Sequence, residues 1–320
     1  MTGEDILVAD IGGTNARFAI ASRAGGRYRL AEQVRFSADA FPQFALALGA
    51  YIERLGARPR RACFAVAGPI EGGAAQLTNS PWRLSQREIE TRFGFAQVAL
   101  VNDFAGQARG APMLAPEERA VIAPGHSVDG APIVVLGPGT GLGLALLVPT
   151  ESGFRVLPTE GGHTAFAPQT DLERRVQAQL QSRFGYVSYE RVCSGVGLEA
   201  VYQALSDIAG RDLPALDAAE IALRRDTDDL ARTAFDIFFS ALGVFAGNAI
   251  LASGGRGGLF LSGGILPKNR SPLSASTFLE SVRARGPMSK YLADVPIWLA
   301  LSEETALIGA AGLIDDLGNG

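Results

Sequence analysis

At 320 residues, with 47% hydrophobic and 19% charged positions, the chain has the make-up of a globular protein long enough to bury two cores. Its net charge of -4 and the lack of any basic run exclude an electrostatic case for nucleic acid. Cys63 and Cys193 stand singly among apolar residues, with no CxxC pair and no zinc spacing, and read as buried thiols of a reducing compartment.

MTGEDILVAD carries acids where a secretory signal carries bases, so a cytoplasmic protein is expected. From Leu7 to Ile20, LVADIGGTNARFAI, an apolar strand runs into an acid, two glycines and a threonine, and a second strand begins at once. No lysine follows the glycines and no helix starts there, which excludes a Walker-type loop. What remains is a strand–turn–strand grip, in which glycine backbones approach phosphate oxygens and successive N–H groups form an anion nest. Asp10, at the strand end, either positions Mg²⁺ through water or simply shapes the turn. Arg17, the cation nearest this loop, is either a phosphate contact or half of a surface salt bridge.

Phe41 to Leu55 repeats apolar residues at helical spacing, and ACFAVAGP (62–69) reads as a buried strand. Ser85-Gln-Arg-Glu88 fits a capping box, and VALVND (98–103) is the next strand. The acid at its end, Asp103, suits a general base that takes the proton of an attacking alcohol, and Asn102 beside it suits a sugar hydroxyl. The same Asn-Asp pair also fits a helix cap. Gly110 to Pro116 is a Gly/Pro-rich junction after which the order of elements begins again.

His126, in APGHSVDG, reads as an exposed loop residue. IVVLGPGTG (133–141) is a strand ending in glycines at every second residue and followed by another strand, so a Rossmann dinucleotide site is disfavoured. With Asp10 to Ile20 it makes an internal echo, a Gly/Thr turn before an apolar strand, as expected of a duplicated architecture. In Thr159-Glu-Gly-Gly-His-Thr164, Glu160 and His163 flank two small residues, a pattern that suits a polyol and makes a poor transition-metal site. Thr170-Asp-Leu-Glu173 fits a second capping box. Asp226 to Ala252 predicts one long buried helix, and Asp236 within it argues against a membrane span. LFLSGG (259–264) is the last strand of the pattern, and the alternation defines an α/β fold.

DIGGTNARFA, GPGTGLG and FLSGG resemble the phosphate-1, phosphate-2 and adenosine motifs of the actin-like (ribonuclease H-like) sugar kinase fold. That resemblance implies two α/β domains with a cleft between them for nucleotide and sugar. The expected division is residues 1–113 plus 302–320 for the small domain and 114–301 for the large one. VNDF, EGGH and YERVCSG (189–195) resemble the bacterial ATP-dependent glucokinase family, from Asp10 through the helix around EETALIGA (303–310). The resemblance implies transfer of a phosphoryl group from MgATP to the 6-hydroxyl of glucose. It makes Asp103 the catalytic base and Asn102, Asp103, Glu160, His163 and Glu190 the sugar ligands. ATP would meet Asp10, Gly12, Gly13, Thr14, Asn15, Gly139, Thr140, Gly141, Gly263 and Gly264, with Gly263 and Gly264 against the adenosine. Mg²⁺ would sit at Asp10 through water. Asn79 and Trp82, in LTNSPW, match a loop on the sugar side without assigned contacts. His163 is followed by TAFAPQTDLERR without a cysteine, which disfavours the related repressor branch and its structural zinc. A homodimer, no membrane and no nucleic acid complete the expectation. A kinase for mannose or an N-acetylated amino sugar, or a non-catalytic sugar sensor, are the alternatives.

Overall fold

A computed structural model describes residues 5–56, 59–77, 81–151 and 153–318. The chain forms two compact units, Met1–Glu118 with Leu147–Pro158 and Ser302–Gly320, and Arg119–Leu146 with Thr159–Leu301. These units differ from the division expected from the sequence at residues 114–118 and 147–158, which group with the first unit.

In the first unit the strands are β1 (Ile6–Ile11), β2 (Asn15–Ala24), β3 (Arg27–Ser37) and β4 (Arg61–Val66). Helix α1 (Phe44–Glu53) precedes β4 and falls within the predicted helical stretch. Short strands β5 (Ile70–Glu71), β6 (Ala74–Gln76) and β7 (Arg83–Ser85) form a separate small sheet, followed by α2 (Gln86–Phe93), β8 (Gln97–Asn102) and α3 (Asp103–Gly110). The main sheet has the order β3-β2-β1-β4-β8, with β1 antiparallel to β2 and parallel to β4. Alternation along β1 explains why the sheet is covered on both faces. Leu7, Ala9 and Ile11 pack on one side with Phe44, Tyr51 and Trp82. Ile6 and Val8 pack on the other with Leu307, Ala310, Ala311 and Ile314 of the closing helix Thr305–Gly318.

That closing helix is drawn unusually close to α3. A Cβ at Gly309 would fall on the Gly106 carbonyl oxygen, and one at Gly110 on the Thr305 carbonyl oxygen, so these glycines permit backbone-to-backbone packing. Arg109 pins the crossing with a forked contact to Asp316, at 2.7 and 3.1 Å. Asp315 takes a second guanidinium, from Arg61 at 2.6 Å, and the Tyr28 hydroxyl. The helix that carries Asp103 is therefore fixed from behind by residues some two hundred positions later.

The second unit contains β9 (Arg119–Ala123), β10 (Ile133–Pro138), β11 (Leu142–Thr150) and β12 (Gly153–Thr159), the last two reaching into the 147–158 segment. Helices α4 (Asp171–Phe184), α5 (Gly195–Ile208), α6 (Ala218–Arg224) and α7 (Asp229–Ser253) come next, then β13 (Gly258–Leu261), three short helices and β14 (Ile297–Ala300). Its sheet has the order β12-β11-β10-β13-β14-β9. Without β9, that order matches the first sheet position for position, so the echo between the two glycine turns reflects a repeated strand plan. Thr170 and Glu173 form the complete capping box that the sequence predicts, whereas at Ser85 only the Ser85 Oγ bond from the Glu88 N–H is made, at 3.4 Å. Helix α7 is long and apolar enough to cross a membrane but is mostly buried, with Phe235, Phe238, Phe239 and Phe245 in the core of its unit.

Candidate active site

In the first unit the site grows from the ends of β1 and β8, the two strands that flank β4. After β1 the chain turns through Gly12 to Asn15, and the Gly12 N–H donates across the turn to the Asn15 carbonyl at 2.9 Å. Asn15 Nδ2 donates to the exposed Thr14 hydroxyl at 2.9 Å. Asp10 lies directly opposite Arg17 in the β1–β2 register, and the guanidinium binds its Oδ2 at 2.6 Å. Arg17 also reaches Glu303 at 3.5 Å, so it acts as a salt-bridge residue here, the second of the two roles open in the sequence.

Asn102 ends β8 and caps α3, its Oδ1 accepting the N–H groups of Phe104 at 3.0 Å and Ala105 at 3.3 Å. Its Nδ2 is the group left to meet a ligand. Asp103 opens the helix, and its Oδ1 accepts the Phe104 N–H at 2.8 Å. Burial pushes the Asp103 carboxyl up to about 6; the Phe104 N–H opposes the shift and the charge of Asp10 adds to it. A carboxylate tuned close to neutrality and held in place through one oxygen is what a general base needs.

In the second unit a different set converges. The turn after β10 repeats the device of the first, Gly139 N–H donating to the Gly141 carbonyl at 2.8 Å, while the Gly139 carbonyl accepts the Gly195 N–H of α5 at 2.9 Å. Thr140 stands exposed at its tip. The segment 161–164 is stitched to 186–190: Glu190 N–H donates to Gly162, Tyr189 N–H to Thr164, and the Tyr186 hydroxyl to the His163 carbonyl at 2.9 Å. His163 Nδ1 lies 3.9 Å from Glu190 Oε1, and its Nε2 lies 4.0 Å from Glu160 Oε2. Three polar side chains thus face one space without closing onto one another. No cluster of His, Cys, Asp and Glu among the described residues has the geometry to hold a metal ion.

Several glycines owe their identity to causes other than those read from the sequence. A Cβ at Gly161 or Gly162 would strike Leu144 or the Leu142 carbonyl of β11, so the pair in EGGH lets two segments pass closely. Gly263 has φ of 86°, and a Cβ there would lie 2.5 Å from the Pro138 carbonyl oxygen, so its own chain requires it. At Gly264 and Gly139 a Cβ would meet open space, which leaves room for close approach of a ligand. Trp82 is a core residue whose indole N–H donates to the Phe41 carbonyl at 2.8 Å; Asn79 lies outside the described residues. Both cysteines are fully buried, and burial pushes their thiols up.

The glucokinase family model matches residues 7–317, nearly the whole of this two-unit chain. The chain belongs to the glucokinase family. A glucokinase of Chromohalobacter salexigens is 38% identical over 306 residues, covering 95% of each chain. The crystal structure of a glucokinase from an Antarctic psychrotroph superposes with a TM-score of 0.92 at 38% identity, covering 98% of this chain and 99% of that one. A ROK hexokinase from Thermus thermophilus, at 20% identity and a TM-score of 0.70 over 99% of this chain and 100% of that one, shares the actin-like fold. Within the family frame, Asp10 as the partner of Arg17 and the Tyr186–His163 bond are among the contacts that the sequence reading did not identify. The first was open to inspection as a cross-strand pair seven residues apart; the second had no local signal.

Proposed function

We propose that the protein transfers the γ-phosphoryl group of ATP to the 6-hydroxyl of D-glucose, giving glucose 6-phosphate and ADP. The observation that carries this is Asp103, a half-buried carboxylate pushed up to about 6 at the start of a capped helix. It accepts the hydroxyl proton as the phosphoryl group moves, which makes the alcohol oxygen a competent nucleophile at neutral pH. Asn102 Nδ2, Glu160, His163 and Glu190 hold the remaining sugar hydroxyls, and together they fix which hydroxyl faces the acid.

The nucleotide meets Gly12, Gly13, Thr14 and Asn15 on one unit and Gly139, Thr140 and Gly141 on the other. Since Gly12 and Gly139 commit their N–H groups to their own turns, the phosphates are held by the N–H and hydroxyl groups that follow. Gly264, with open space where a side chain would be, lies against the nucleoside. Asp10 fits an Mg²⁺ that arrives with ATP: Arg17 occupies Oδ2, leaving Oδ1 as a hard oxygen donor, and hydrated Mg²⁺ asks for one or two carboxylates. When bound, Mg²⁺ neutralises the charge that develops on the phosphate oxygens. A homodimer in the cytoplasm belongs to the same proposal, with light scattering as the check on assembly.

The deciding experiment is a coupled assay for sugar 6-phosphate across a panel of hexoses at fixed MgATP. Glucose is expected to give the highest kcat/KM. Preferred turnover of mannose or an N-acetylated amino sugar would reassign the substrate, and binding of glucose and ATP without product would make the protein a sensor.

A further inference from the structure

The carboxylate of Glu190 serves two places at once. Its Oε2 accepts the backbone N–H of Leu142 at 2.9 Å, immediately after the Gly139–Gly141 turn. A Cβ at Gly141 would lie 2.6 Å from that same oxygen, so the missing side chain is what lets the carboxylate reach the loop. Its Oε1 faces His163 Nδ1 at 3.9 Å, on the side assigned to the sugar. The backbone around Glu190 is equally tied down: its N–H donates to the Gly162 carbonyl at 2.9 Å and its carbonyl accepts the Ser194 hydroxyl at 2.8 Å. Ser194 in turn caps α5, whose first N–H holds the Gly139 carbonyl.

We infer that Glu190 is a coupling residue, through which occupancy of the sugar site sets the phosphate-gripping turn Gly139–Gly141 and raises its affinity for nucleotide. The inference rests on the proposed assignment of glucose to Glu160, His163 and Glu190. A carboxylate is a rigid planar group, so a sugar hydroxyl that donates to Oε1 fixes the direction of Oε2. Fixing Oε2 fixes the Leu142 N–H and with it the exit of the turn. Ordering the turn once, when sugar binds, removes that entropic cost from the later binding of phosphate. By linkage the effect is reciprocal, and nucleotide tightens sugar by the same factor.

The test is a binding cycle with D-glucose and a non-hydrolysable ATP analogue in the presence of Mg²⁺, each measured by calorimetry with and without the other. The unaltered protein is expected to show a coupling factor of about 5-fold or more, within the usual range for linked sites. Gly141→Ala places a methyl group against Oε2 and is expected to bring the factor close to one. Leu142→Pro removes that N–H at the first position of β11, where proline is tolerated, and is expected to do the same, whereas Leu142→Ala, which loses the same buried side chain but keeps the N–H, is expected to keep the factor. Amide exchange supplies a readout that needs no nucleotide: glucose alone is expected to slow exchange at Leu142. An unaltered protein without coupling, or Gly141→Ala and Leu142→Pro variants that keep the full factor while still binding glucose, would overturn the inference and leave the sugar assignment standing. If Glu190→Ala left glucose affinity unchanged, the sugar assignment would fall and the inference with it.

Discussion

Asp103 and Glu160 are carboxylates assigned to one reaction, and the two units treat them in opposite ways. Asp103 is half-buried, anchored to the Phe104 N–H and pushed up to about 6. Glu160 has a side chain 92% exposed, with its carboxylate 4.0 Å from His163 Nε2. A group that must exchange a proton needs a perturbed environment, and burial supplies it. A group that only has to meet a hydroxyl needs access, and a solvated carboxylate on a tightly stitched backbone segment supplies that.

The largest effect that tests this contrast is on turnover. Asp103→Ala is expected to lower kcat by roughly 10²–10⁴-fold while glucose affinity falls far less, measured by steady-state kinetics and equilibrium binding. Near-normal turnover would remove Asp103 from the chemistry. In the unaltered enzyme, kcat/KM is expected to rise with pH through about 6, as the acid loses its proton and becomes a base.

The next effect lies behind the acid. Gly309→Ala drives a methyl group onto the Gly106 carbonyl and is expected to cost roughly 1–3 kcal/mol in urea unfolding, with kcat lowered because α3 must shift. Unchanged stability and turnover would show that the close helix crossing does not position Asp103.

A similar magnitude with the opposite sign comes from neutralising the acid in place. The folded-state pKa of Asp103 lies above its ordinary value of 3.8, so the folded protein binds this proton more tightly than the unfolded chain. Its ionisation therefore weakens the fold, increasingly as pH rises from about 4 to about 6 and constantly above that. Asp103→Asn is expected to be inactive yet more stable than the parent at about pH 8, by on the order of 1–3 kcal/mol, with the gain fading towards pH 4. A variant less stable at the higher pH would show that the charge is compensated in place.

The smallest effect belongs to the exposed partner. Glu160→Gln keeps a hydrogen-bonding group and loses only its charge, so the KM for glucose is expected to rise roughly 3- to 10-fold with kcat nearly intact. A change confined to the KM for ATP would place Glu160 on the nucleotide side.

Much of this arrangement is legible in the sequence because it is local. Strands read from short apolar runs, the Gly12–Asn15 turn from its glycines, and α7 from its length and apolar periodicity. Asn102 is legible in both of its guises, since a cap and a ligand ask for the same amide, and the structure shows the oxygen taking the first role. What escapes is whatever depends on chain segments meeting. Gly161 and Gly162 look like a ligand-facing pair, yet β11 passing beneath them is what demands glycine. Gly309 sits in an ordinary apolar helix pattern, and only the backbone of α3 against it reveals its purpose. The bond from Leu142 to Glu190 spans 48 positions and leaves no spacing to detect.

The closing helix has a consequence for synthesis. The second unit is complete in sequence by Leu301, whereas the first waits for Ser302–Gly320. Until Thr305–Gly318 has left the ribosome, the sheet face carrying Ile6, Val8 and Cys63 lacks Leu307, Ala310, Ala311 and Ile314 from its cover. Domains that fold as they are made usually do so from the amino terminus, and here that order is reversed for the unit that carries the acid. A chain interrupted before Thr305 holds every residue proposed above for sugar and phosphate, yet it lacks the helix packed against α3. On the proposed role of Asp103, a chain stopped before that helix is expected not to transfer phosphoryl groups.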